Sequence, residues 1–403
     1  MNKVTLGNIC NLHSGGTPST KNPKYWNGDL AWLSSAESSK DFIYDSKIMI
    51  TQRGVNESST RLASKKSVII ATAGEGKTRG QVSFLETDAY INQSLIAIKS
   101  KSTELSDLYI FYYLKNSYKR LRNLSDATGV RGGLSGELLK TFEITFPNIS
   151  IQNKITYLLR IIDSKIENNN KINTELESIA KTIYDYWFLQ FEFPNEEGKP
   201  YKSSGGKMIW NEELKREIPE RWKSIKLSDI IEKVNRKYDY NIKSKTYDLS
   251  VMPSNSIVLY NTSSSVSFDT NLFSVKKGDL LFGSIRPYLR KAGVAAYDGA
   301  VTGTVHCYEI KNPIDYNLAL FTLTSENFFK YAINNSKGTK MPVVSSENLL
   351  DFQIPYNDDL SKLYNKLSIK EKIISNVIQS NELSTLRDFL LPLLMNGQVK
   401  FKK

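Results

Sequence analysis

Four blocks in the first half of this 403-residue chain recur in its second half, in the same order. Val4, Leu6 and Ile9 answer to Ile225, Leu227 and Ile230, 221 residues on. The run 67–72 (SVIIAT) answers to 279–284 (DLLFGS), 212 residues on, a register that carries Arg79 to Lys291 and Ile98 to Ile310. Leu134, Glu137, Leu139, Phe142 and Ile144 answer to Val344, Glu347, Leu349, Phe352 and Ile354 at 210, and Leu176, Ile179 and Ile183 to Leu383, Leu386 and Leu390 at 207. A spacing that shrinks slowly is what two copies of one fold give when they differ by loop deletions. Chance apolar matches would not keep four blocks in order.

Each copy opens with short apolar runs of strand type, such as 68–71, 95–98 and 280–282. A long helical pattern follows. In the first copy Ile155, Leu158, Ile162, Ile166, Leu176, Ala180, Ile183 and Trp187 fall at three- and four-residue steps, with Asn169 and Asn173 interrupting a coiled-coil-like seam. Ser150 is the expected N-cap, just after Pro147. In the second copy Leu360, Leu363, Leu367, Ile374, Val377, Leu383, Leu386 and Leu390 form one stripe until Pro392 and Gly397 stop it. Between the copies, 193–222 is rich in Pro, Gly and Ser and reads as a connector. The expected division is a globular domain at 1–148, a long helix at 149–192, the connector at 193–222, a second globular domain at 223–357, and a second helix with its tail at 358–403. About 40 residues of helix span about 60 Å. Two such helices bury their stripes against each other or against a partner, so the fold class is α/β (α+β), with two similar domains separated by a long antiparallel helix pair in a pseudo-twofold repeat. A generic helical dimerisation element would show the same stripes.

The chain carries 54 Lys and Arg against 42 Asp and Glu, a net charge of +12, which favours a polyanionic partner, either nucleic acid or an anionic membrane surface. Its apolar runs are far shorter than the roughly 20 residues that cross a bilayer. The opening MNKVTLGNIC lacks the apolar core of a signal peptide, so a cytoplasmic location is expected. Cys10 and Cys307 are distant and, with two histidines, make neither a disulfide framework nor a zinc site.

Several segments approach enzyme motifs and miss. The run 71–78 (ATAGEGKT) nearly spells a phosphate-binding loop, but Ala71 replaces the first glycine and a strand-like QVSFL follows where a helix must cradle phosphate. The second copy has 283–288 (GSIRPY) there. Asn22-Pro23-Lys24-Tyr25 differs from the NPPY of adenine methyltransferases at Lys24. Glu75-Gly76-Lys77 and Asp45-Ser46-Lys47 fit the nuclease triplet [D/E]xK, a pattern near background. His13 and His306 stand alone, without a paired nucleophile or carboxylate. No active site is expected.

Leu6-Gly7-Asn8-Ile9 with 15–20 (GGTPST), 25–29 (YWNGD) and Trp32 resembles the first target-recognition domain of the specificity subunits of type I restriction-modification systems. Gln152, 162–168 (IDSKIEN), Leu176-Glu177 and Trp187-Phe188 resemble their central conserved helix. The stretch 204–208 (SGGKM) with 218–222 (IPERW) resembles the entry to the second recognition domain, and 386–392 (LRDFLLP) with 394–397 (LMNG) the C-terminal pattern. Four segments in family order on a duplicated chain make the resemblance specific. The second half lacks the GGTP segment, which implies a different domain subtype.

The resemblance implies a non-catalytic subunit that binds a bipartite target in double-stranded DNA. It implies docking of two methyltransferase subunits and of ATP-dependent translocase and nuclease (restriction) subunits. No cofactor belongs to this chain; S-adenosylmethionine, ATP and Mg²⁺ would sit on the partners. Lysine and arginine supply phosphate affinity while a few side chains read base edges. The candidate contacts are Thr17, Lys21, Arg53, Arg61, Lys77, Arg79 and Arg131 in the first domain, and Arg236, Lys237, Arg286, Arg290, Lys291, Lys337 and Lys340 in the second. Trp187, Phe188 and Leu394, near helix ends, are the candidates for partner docking. The competing reading is a scaffold whose basic surface holds another protein or RNA, and salt-dependent, sequence-selective duplex binding separates the two.

Overall fold

The computed structural model describes residues 2–37, 40–74, 77–126, 133–241, 243–268 and 270–399. The chain forms two units, 1–164 with 384–403, and 165–383, so each long helix divides its length between them.

The first unit holds a five-stranded sheet in the order Cys10–Ser14, Leu95–Ser100, Val68–Ala71, Val82–Leu85, Phe42–Ile43. The second unit repeats it as Ile231–Lys233, Val305–Ile310, Leu280–Gly283, Ala292–Ala295, Val258–Leu259. In each the last pair is parallel and the others antiparallel. Val68–Ala71 and Leu280–Gly283 are buried throughout because each is a central strand covered on both faces, which is why they read as unbroken apolar runs. One face packs under the helix Asp107–Asn116 in the first unit and Tyr316–Leu323 in the second.

A second sheet is also shared. In the first unit its order is Ile48–Ile50, Trp26–Leu33, Ala89–Ile91, Arg61–Ala63; in the second it is Ser263–Ser264, Lys245–Tyr247, Gly299–Thr302, Leu272–Val275, with an added edge strand Arg236–Lys237. A two-stranded ladder closes each domain: Val4 lies opposite Ile144, and Ile225 opposite Ile354. The next rung repeats as well, Leu6 N–H donating to the Phe142 carbonyl at 2.9 Å and Leu227 to Phe352 at 2.8 Å.

The pairings correct the mid-domain register. Ile70 lies opposite Val82 and Ile96, whereas Phe282 lies opposite Ala292 and His306. Lys291 therefore stands where Gln81 does, not Arg79, and Tyr308 rather than Ile310 matches Ile98. A two-residue slip leaves every side chain on its own face of the sheet, so apolar pattern alone does not reveal it.

The first long helix is Ile149–Tyr184, closed by a wider turn at Asp185–Leu189. Its cap is Asn148, whose Oδ1 accepts the Ile151 N–H at 3.1 Å, rather than Ser150, which lies inside the first turn. The second stripe is not one helix: Asp358–Asn365 ends before Ser368, whose φ of 50° breaks the run, and Ile369–Met395 follows. Pro392 lies within that helix, near its end, instead of stopping it. The stop is Gly397 at φ 68°, with Gly397 N–H bonded to the Leu394 carbonyl and Gln398 N–H to Leu393, the double closure that a left-handed glycine permits.

Within the second unit the helices are antiparallel. Asn169 Nδ2 donates to Gln379 Oε1 at 2.9 Å and to Ser380 Oγ at 3.3 Å, while Asn376 Nδ2 donates to Asn173 Oδ1 at 2.8 Å. The 207-residue repeat exchanges Asn169 with Asn376 and Asn173 with Ser380, so the two polar pairings are copies of one another. In the first unit Leu391, Leu394 and Met395 pack with Ile155 and Leu159, and Arg387 reaches the buried Asp163 at 2.8 Å.

Candidate nucleic-acid interface

In the first unit the entry segment is folded by close approach. Gly16 N–H donates to the Ile91 carbonyl at 3.0 Å, and a Cβ on Gly15 would come within 1.7 Å of that same oxygen, so position 15 admits no side chain. Trp32 Nε1 donates to the Gly16 carbonyl at 3.2 Å and Trp26 Nε1 to Ser19 at 3.1 Å, the two rings meeting edge to face. These contacts hold Thr17 at the Ile91–Gln93 corner, where its hydroxyl donates to Gln93 Oε1 at 2.6 Å. Arg61, opposite Ile91 on the edge strand, projects beside it. Gln93 was not anticipated; a polar residue between two strands carries no sequence mark separating it from any loop glutamine. Lys21 and Lys77 are exposed. Arg53 is held by Glu57 at 2.7 Å, which also accepts from the Tyr25 hydroxyl, and Arg79 is mostly covered and paired with Asp126 at 2.5 Å. Arg131 lies outside the described residues.

In the second unit Arg236 and Lys237 take the place of Gly15 and Gly16, since Lys233 lies opposite Tyr308 as Leu12 lies opposite Ile98. Arg236 spans Asp279 at 2.5 Å and Glu309 at 2.7 Å, and Asp279 is buried, so this guanidinium braces the strand ends. Cys307 Sγ faces the same carboxylate at 3.4 Å, and burial pushes its thiol well above the ordinary range. Lys237 projects from the edge strand. Arg290 forms a two-pronged pair with Glu326, both contacts 2.8 Å, and Lys291 Nζ donates to the Leu249 carbonyl. Arg286, Lys337 and Lys340 are exposed and gathered on two loops joined by backbone hydrogen bonds: Arg286 N–H donates to the Pro342 carbonyl at 2.7 Å, and Lys337 and Val343 exchange both bonds.

The docking candidates divide. Trp187 is half-buried against Tyr364. Phe188 is 1% exposed among Tyr184, Trp222 and Tyr364, and Leu394 is 2% exposed in the first core, so neither offers surface to a partner. Apolar surface on the helices lies at Tyr157 and Ile161 in the first unit, and in the second at Ile172, Ile179 and Tyr186, three residues at seven-residue steps. Leu386 and Phe389 of the second long helix are exposed as well.

Among the described residues no helix is long and apolar enough to cross a membrane, and no group of three or more His, Cys, Asp or Glu side chains could hold a metal ion.

The sequence model for the type I restriction modification DNA specificity domain matches residues 1–178 and again 219–379. Over 421 aligned residues, covering 99% of this chain and 93% of the relative, the sequence is 27% identical to the type I restriction enzyme MjaIX specificity subunit of Methanocaldococcus jannaschii. It is 27% identical over 197 residues, about half of each chain, to the EcoR124I/EcoR124II specificity subunit of Escherichia coli. The fold matches the crystal structure of the S subunit of a type I restriction-modification system from M. genitalium with a TM-score of 0.62 at 17% identity, covering 98% of this chain and 95% of that one. With two copies of one recognition scaffold, each matched by the same domain model, this chain belongs to the DNA specificity subunits of type I restriction-modification systems.

Proposed function

We propose that this chain reads one asymmetric two-part DNA target and delivers it to catalytic subunits that it does not itself contain. Each unit reads one half-site, the stretch between them is not read, and the chain is non-catalytic. Two methyltransferase subunits and ATP-dependent restriction subunits complete the assembly in the cytoplasm, and S-adenosylmethionine, ATP and Mg²⁺ belong to them. One observation carries the reading: the two units share both sheet orders, yet differ at the entry segment, where glycines in one are an arginine and a lysine on an added strand in the other. One shared scaffold carrying two different surfaces reads two different sequences, which makes the target non-palindromic. Exposed Lys21, Arg61 and Lys77, and Lys237, Lys337 and Lys340, suit phosphate contacts that set position on the duplex. Ile172, Ile179 and Tyr186 suit a partner helix or groove, because large exposed apolar side chains in register mark an interaction face.

The test is the methylation map of host DNA with and without the chain. A gapped, asymmetric motif that disappears with the chain is expected; a continuous or palindromic motif overturns the reading. Lys340→Ala in the assembled complex should weaken binding through one half-site alone, lowering the salt dependence by about one phosphate contact. Arg131→Ala should act through the other half-site.

A further inference from the structure

The paired loops 284–291 and 336–343 of the second unit combine features that a merely solvated surface does not need. Together they hold five basic residues and no acidic one. Arg286 and Arg290 both adopt the left-handed conformation, at φ 52° and 54°, on either side of the short helical turn Pro287–Leu289. Non-glycine residues persist there only where surrounding structure over-determines them. Here it does: Val344 N–H donates to the Ser284 carbonyl at 3.0 Å, Arg286 N–H to Pro342, and Arg290 clamps Glu326 at the far end. Gly338, at φ 103°, closes the second loop. Arg290 and Lys291 are thus spent on fixing the loop, and Arg286, Lys337 and Lys340 remain exposed on the same two loops as several exposed apolar side chains. Tyr288 is 50% exposed and Met341 55%, with Leu289 and Val343 also open. Met341 directly precedes Pro342, and Tyr288 lies two residues beyond Arg286, so the backbone bond between Arg286 and Pro342 keeps the two near one another.

We propose that this loop pair is the base-reading element of the second unit, and that Met341, with Tyr288 on the facing loop, reads the 5-methyl group of a thymine in the major groove. The inference rests on the DNA-reading function above and goes beyond it by naming a contact that carries no charge. Exposed cations on these loops fit the phosphate backbone, while their exposed apolar side chains fit the one apolar feature that a base edge presents in that groove. A rigid loop loses little freedom on binding, which suits discrimination at a single base.

The test uses the full chain assembled with its methyltransferase subunits, in competition binding with duplexes carrying the mapped target. Thymines of the half-site assigned to the second unit are replaced one at a time by uracil, which lacks only the methyl group. Loss of a buried methyl weakens binding about fourfold. At least one position should show this with the natural chain, and Met341→Ala should bind thymine and uracil equally there, with Tyr288→Ala reducing the difference. Both variants should keep the salt dependence, the thermal midpoint and full sensitivity to changes in the other half-site. The proposal is overturned if no uracil position weakens binding, if the half-site has no A·T pair, or if Met341→Ala retains the preference. Absence of any sequence preference in the natural complex would instead overturn the DNA-reading function itself.

Discussion

Asp163 shows what a single residue contributes and what the sequence conceals. It is 3% exposed and accepts from the Tyr112 hydroxyl at 2.5 Å and from Arg387 at 2.8 Å; Arg387 extends to Asp41 at 3.3 Å, which also pairs with Lys115. The segments 162–168 and 386–392 stand out in the sequence as family patterns, but nothing in either states that Asp163 and Arg387 are partners. Arg387→Ala leaves a buried carboxylate with, among the described residues, only the Tyr112 hydroxyl, and should cost about 3–5 kcal/mol, read by denaturant unfolding, because breaking one side of a buried pair is expensive. Arg387→Lys should recover only part of this, since an ammonium does not reproduce the guanidinium fork. Glu177 gives a pH dependence. Burial beside the cavity of about 270 Å³ that it lines with Lys181, Tyr184 and Arg290 pushes its carboxyl up to about 7. The folded state therefore holds this proton where the unfolded chain has released it, so the contribution is intact below the unfolded value and stability falls as pH rises through about 7. Glu177→Gln should stabilise the chain at pH 8, by up to about 3 kcal/mol, and change little at pH 4. Equal effects at both pH values would show that the carboxyl ionises freely.

At the scale of elements, the helices were legible because their three- and four-residue periodicity survives any tertiary context, and the closing ladders because Val4, Ile144, Ile225 and Ile354 repeat with their neighbours. The second sheets were not, since strands such as Arg61–Ala63 and Ser263–Ser264 are two or three residues long and partly exposed, too short for a period to emerge. The break at Ser368 escaped for a related reason: the apolar stripe continues across it through Leu367 and Ile369, and a left-handed serine has no composition signal. The sequence places Asn169 and Asn173 as interruptions of the seam, and in the structure they are buried and bond across the helix pair. Replacing both sides of each pairing, Asn169 and Asn173 together with Asn376 and Ser380, by apolar residues should raise the stability by about 1 kcal/mol, since a polar pair exchanged whole for apolar packing leaves no orphaned partner. The cost should appear in register, because only matched polar pairs penalise a shifted seam. A methyltransferase complex assembled with this variant should then methylate the target less faithfully, although the variant melts higher. A large fall in stability would instead make these amides the glue of the pair.

For the whole molecule, the proposed two-part target predicts that the duplication sets what is read and that helix length sets the gap between the half-sites. Both long helices divide between the two units, and the bonds within each unit fix one antiparallel pairing, Asp163 with Arg387 in the first and Asn169 with Ser380 in the second. A ruler of this kind is set by residue count, because a packed pair resists bending and each residue adds about 1.5 Å. Inserting four residues near Thr174, matched by four in the facing helix near Ser375, keeps the pairing on either side and lengthens the pair by about 6 Å. At about 3.4 Å per base pair that is one to two base pairs of DNA. No recognition residue changes within its own domain, so both half-site sequences should stay as they were. A small rotation accompanies the added turn, since four residues slightly exceed the 3.6 of one turn, and DNA twist can absorb it over a gap of unread sequence. The methylated motif of the insertion variant should therefore show the same two half-sites with the gap widened by one or two positions. If methylation persists with the gap unchanged, the spacing is set by the loops of the recognition domains and not by the helices.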